Sequence, residues 1–69
     1  MTISTNQGNY LESVITAFEL DPGPLNDWEK GFMKNQSERF EQYGNDIFMS
    51  PKQWGVINKI ADAYGIEKP

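Results

Sequence analysis

MSPKQWGVINKIADAYGI, from Met49 to Ile66, is the stretch on which the fold of this 69-residue chain turns. Ser50 is followed three positions later by Gln53, the spacing of a capping box. The serine oxygen accepts a free backbone N–H of the first helical turn, and the glutamine side chain reaches back to the N–H of the cap. Pro51 falls on the first helical position, where a missing N–H costs nothing and the fixed φ already suits the helix. Met49 before the cap and Trp54 after it have the spacing of a hydrophobic staple. From Trp54 onward Ile57, Ala61 and Tyr64 recur on one helical face, widened by Val56 and Ile60. Gly65 followed by Ile66 reads as a Schellman stop, with the isoleucine folding back on the last turn. The stretch therefore predicts a helix over 51–64.

Working outward, the same opening occurs twice upstream. Asn26 with Glu29 precedes a helical pattern over 27–43, in which Trp28, Phe32, Met33, Phe40 and Tyr43 cover an arc of roughly 140°. Gln36 lies within that arc and needs hydrogen-bond partners if it is buried. Gly44 and Asn45 are natural stop residues. The loop over 45–49 then offers Ile47, Phe48 and Met49 to the core. Asn9 with Glu12 precedes a third pattern over 10–20, where Tyr10, Leu11, Val14, Ile15, Ala17 and Phe18 share a face. Asp21-Pro22-Gly23-Pro24 ends it in a stiff turn. Residues 1–8 are polar and without period, which predicts a flexible N-terminal tail ahead of a domain over 9–69. Three amphipathic helices joined by short loops make an all-α fold, a small three-helix bundle.

Composition limits what such a bundle can do. A chain of this length buries only about 60% of its unfolded surface, so its core is marginal. There is no cysteine and no histidine. Disulfides, thiolate chemistry, a serine–histidine pair and nearly all structural zinc sites are thereby excluded. Two Trp, three Tyr and four Phe supply the bulk that a staple would otherwise supply, and Trp28 and Trp54 are expected mostly in the core. Glu38 and Glu41, three apart on the outer face of the second helix, are the one carboxylate pair to consider for acid–base work. They read as a solvated face, since no chain is left over to build a pocket around them. No catalytic residue, metal or cofactor is expected. The lack of an 18-residue apolar run excludes a membrane span, and the lack of an N-terminal export pattern points to the cytoplasm.

The net charge of −4 disfavours general nucleic-acid affinity. The charge is uneven, however, with five bases against four acids between Trp28 and Lys59. Lys30 and Lys34 stand on the outer face of the second helix, Lys52 and Lys59 on that of the third. Together they form candidate positive ground for an acidic partner or a phosphate backbone, blunted if Lys34 pairs with Glu38. Gly31 and Gly55 lie inside predicted helices at a cost of about 1 kcal/mol each relative to Ala. They are candidate flat spots where another backbone approaches closely. These six residues are the expected partner-binding set.

LNDWEKGFM (residues 25–33), the aromatic-rich helix after it and MSPKQWGVINKI (residues 49–60) together resemble a short helical module of bacteriophage and prophage proteins. There a Trp-Glu pair just inside a helix is followed by a Phe, and a Leu-Ser-x-Lys-Gln motif opens the next helix; Met49 stands here where Leu is common. The module occurs alone or attached to proteins of phage DNA metabolism and has no defined activity. The resemblance implies a small phage-type accessory protein, not an enzyme, that binds another protein of host or phage nucleic-acid machinery. Two alternatives stay open: direct nucleic-acid binding through the lysines, and an acidic inhibitor occupying a nucleic-acid site on a host enzyme. The Ser-Pro-Lys-Gln opening also resembles that of some helix-turn-helix domains. Such a domain would need the 45–49 loop as its turn.

Overall fold

The computed structural model describes residues 2–69. It comprises three α-helices, α1 (Thr5–Leu20), α2 (Asp27–Tyr43) and α3 (Pro51–Tyr64), with one 3-10 turn over Gly44–Asp46 after α2. No strand is present among the described residues. The chain is a small all-α three-helix bundle, as the periodicity requires.

The ends of α2 and α3 fall where the capping residues put them. At α3 the Gln53 N–H donates to Ser50 Oγ at 3.2 Å, and the Ser50 N–H donates to Gln53 Oε1 at 2.9 Å. Asn26 and Glu29 make the same reciprocal pair at α2. Gly65 adopts the left-handed conformation at φ 68°. Its N–H donates to the Asp62 carbonyl and that of Ile66 to the Ala61 carbonyl, the two bonds of a Schellman motif. Ser50→Ala removes one side of the α3 box, and thermal or urea denaturation should show a loss of about 1 kcal/mol.

The start of α1 differs from the sequence reading. The helix opens at Thr5, and Ser4 with Gln7 forms its capping box; Asn9 and Glu12 lie inside it. Serine is the more typical box member, and Ser4-Thr5-Asn6-Gln7 carries the full signature. It is masked by the polar run around it, which hides the helical period. Residues 2–8 are consequently part of the folded unit and no tail, with Met1 lying outside the described residues. Ile3 is 4% exposed. The Thr2 and Ile3 N–H groups both donate to the Asn45 carbonyl, at 2.9 and 3.0 Å, and Thr2 Oγ1 donates to the Asp46 carbonyl at 3.1 Å. Gly8 is buried against the Asn45 side chain. A Cβ placed on Gly8 would lie 2.9 Å from Asn45 Cγ, so a larger residue here would have to displace the Asn45 side chain.

The core collects Tyr10, Leu11, Val14 and Ile15 from α1, Met33 from α2, and Ile57, Ile60 and Ala61 from α3. Its other members, Ile3, Leu25, Ile47 and Met49, come from segments outside the helices. Of the aromatics only Tyr10 is buried; Phe18, Phe32, Phe40, Trp54 and Tyr64 pack half-buried around the rim. Trp28 and Phe48 are each 64% exposed, contrary to the sequence reading, and Tyr43 is exposed as well. The aromatic load is thus a collar on an aliphatic core. At about 100° per residue, Trp28 lies roughly 120–140° from Met33 and Phe40, at the outer edge of the apolar arc.

Polar side chains tie the elements together. Gln36 is buried, and its Oε1 accepts from Arg39 at 2.9 Å; the other terminal nitrogen of Arg39 donates to the Phe48 carbonyl at 2.7 Å. Gln36 is therefore satisfied within the chain, through an arginine that also holds the loop before α3. The Tyr64 hydroxyl donates to the Asp21 carbonyl at 2.6 Å, which ties the end of α3 to the end of α1.

Candidate partner-binding surface

Lys34, Lys52 and Lys59 are exposed and Lys30 is half-exposed. None of the four is ion-paired among the described residues, and Lys34 does not meet Glu38. Among the described residues, Lys68 pairs with Asp62 at 3.4 Å. The lysines remain two separate pairs on two helices.

Gly31 and Gly55 are exposed on α2 and α3, and a Cβ added to either would meet no atom within 4 Å. Neither glycine is required by the packing of this chain. Gly31→Ala and Gly55→Ala should each raise stability by about 1 kcal/mol, read as an upward shift of the urea midpoint. A destabilised variant would mean that the glycine has a structural role after all.

What the structure adds is an aromatic feature beside Gly31. Trp28 and Phe32 stack with their ring centroids 5.6 Å apart and their planes at 15°. Together with Asp27, Gly31 and Asn35 they line a shallow cavity of about 360 Å3. Phe32 anchors this pair, since its ring packs on the core edge while the indole stands outside. Asn26 caps the helix, so Trp28 is held in the first, well-capped turn. Of the sequence-predicted residues only Gly31 borders this cavity; Lys52, Gly55 and Lys59 lie on a different helix. The apolar neighbours of Trp28 in the arc point it to the core, whereas its own place at the rim of that arc points outward.

Glu38 and Glu41 are both exposed. No group of three or more acidic side chains converges in a way that would hold a metal ion among the described residues. Among the described residues, no helix is long and apolar enough to cross a membrane. Comparison of the chain with protein-family models, with characterised proteins and with solved structures finds no match.

Proposed function

We propose that this domain is a non-catalytic protein-binding module whose contact surface is the Trp28–Phe32 stack with the bare helix at Gly31. The observation that carries the reading is the exposure of Trp28, 64%, together with its stack on Phe32 beside the bare backbone of Gly31. A tryptophan presented on a rigid turn beside a residue with no side chain suits a partner that packs closely against the helix. Trp is among the residues most enriched at interface hot spots. Lys30 and Lys34 stand on the same helix outside the cavity lining and favour a partner with acidic groups nearby. The resemblance to phage accessory modules suggests host or phage nucleic-acid machinery as the setting.

The test compares wild-type protein with Trp28→Ala and with the Lys52→Ala/Lys59→Ala pair as immobilised baits, followed by affinity measurement on the retained protein. Trp28→Ala should weaken binding by about thirtyfold or more, the size of a hot-spot truncation, while the double lysine variant binds as wild type. Retention unaffected by Trp28→Ala would sink the reading. Salt-sensitive binding of labelled DNA or RNA that is lost with the lysines would favour direct nucleic-acid contact instead.

A further inference from the structure

A second cavity, of about 360 Å3, is lined by Gln7, Tyr10, Trp54, Asn58, Lys68 and Pro69. It shares no residue with the Trp28 surface. Its floor is aromatic. Tyr10 and Trp54 stack at a centroid distance of 6.3 Å and an interplanar angle of 24°. Tyr10 is buried, so Trp54, half-buried, offers the accessible ring.

The polar rim is oriented by bonds on the protein side. Asn58 Oδ1 accepts from the Tyr10 hydroxyl at 2.8 Å. Gln7 Oε1 accepts from the Ser4 N–H at 2.9 Å, as part of the α1 capping box. Both amide oxygens are thus engaged inward, which fixes the opposite branch of each side chain as NH2. Neither NH2 donates a hydrogen bond within the described chain, and neither is a buried orphan. Both are therefore open to solvent where Gln7 and Asn58 border the cavity. The Lys68 ammonium adds a third donor and a positive charge, partly offset by Asp62 at 3.4 Å. An aromatic floor with a rim of free donors is complementary to an oxyanion carried on a flat apolar body.

We propose that the Trp54 groove binds a small aromatic carboxylate, its ring against Trp54 and its oxygens toward Gln7 Nε2, Asn58 Nδ2 and Lys68 Nζ. The cavity lies at the small end of the range for ligand sites, which suits a single ring better than a dinucleotide.

Benzoate is the probe, and benzamide is its neutral isostere. In a titration followed by NMR, benzoate should produce saturable shifts of the Trp54 indole and of the Gln7 and Asn58 side-chain amides, and benzamide should not. Gln7→Glu and Asn58→Asp each keep the internal acceptor and replace the outward NH2 by a carboxylate oxygen. Each should weaken benzoate about tenfold or more, as loss of a charge-assisted bond requires. Asp62→Asn should tighten it by freeing Lys68. Lys68→Gln, at an exposed position remote from the core, should weaken it and keeps the test valid if either amide variant unfolds. Equal shifts with benzamide, no saturation in the folded wild type, or undiminished affinity in the Lys68 variant would each overturn the proposal.

Discussion

Deleting residues 2–8 should remove a large share of the domain's stability, although those residues look dispensable in the sequence. Ile3 is 4% exposed, and returning such a side chain to water costs about 1.5–3 kcal/mol. The Ser4–Gln7 box closes the first turn of α1, and losing such a cap costs about 1 kcal/mol more. The hydrogen bonds from Thr2 and Ile3 to the turn at Asn45 go with them, each worth roughly 0.5–1.5 kcal/mol net. The total is about 4 kcal/mol or more, against roughly 3–10 kcal/mol for a domain of this length. Urea denaturation followed by circular dichroism measures it, with Ile3→Ala as a milder companion expected to cost about 2–4 kcal/mol. An unchanged midpoint in both proteins would show that the segment is a tail and that its packing on the Asn45 turn contributes nothing.

That segment also marks where the sequence stops being legible. Capping chemistry is local, so the boundaries of α2 and α3 can be read from Asn26, Glu29, Ser50, Pro51, Gln53 and Gly65 without knowing what the helices touch. The position of Ile3 is set by a non-local contact, the carbonyl of Asn45, some forty residues away. No period in a polar run reveals that contact. The same limit explains Gly8, which reads as a tail glycine and is the point where α1 meets the Asn45 side chain. For the surface, helical geometry gave the outward placement of Gly31, Lys34, Lys52, Gly55 and Lys59. It could not say whether the lysines converge, because that depends on how the helices pack. Trp28 was misassigned for a related reason: an apolar arc of roughly 140° is wider than the strip of α2 that meets the core.

Met33→Ala should be the most damaging single substitution in α2, at about 2–5 kcal/mol. Met33 is 0% exposed and is the only apolar side chain of α2 that is fully buried; its buried companion on that helix is Gln36. α1 and α3 each place several aliphatic residues in the core, whereas α2 otherwise packs through the half-buried rings of Phe32 and Phe40. Removing the thioether leaves a cavity in the middle of that contact. The rings cannot fill it without giving up their own positions at the rim. Met33→Leu, which keeps volume and apolarity, should cost less than about 1.5 kcal/mol. Hydrogen exchange should show the loss in Met33→Ala first at the α2 amides, with those of α1 and α3 retaining more of their protection. That pattern bears on function, because α2 carries Trp28 and Gly31. A partner that grips this face would hold α2 against the core, and its binding should restore much of the lost α2 protection. A cost below about 1 kcal/mol for Met33→Ala would instead mean that the aromatic rim alone secures the helix.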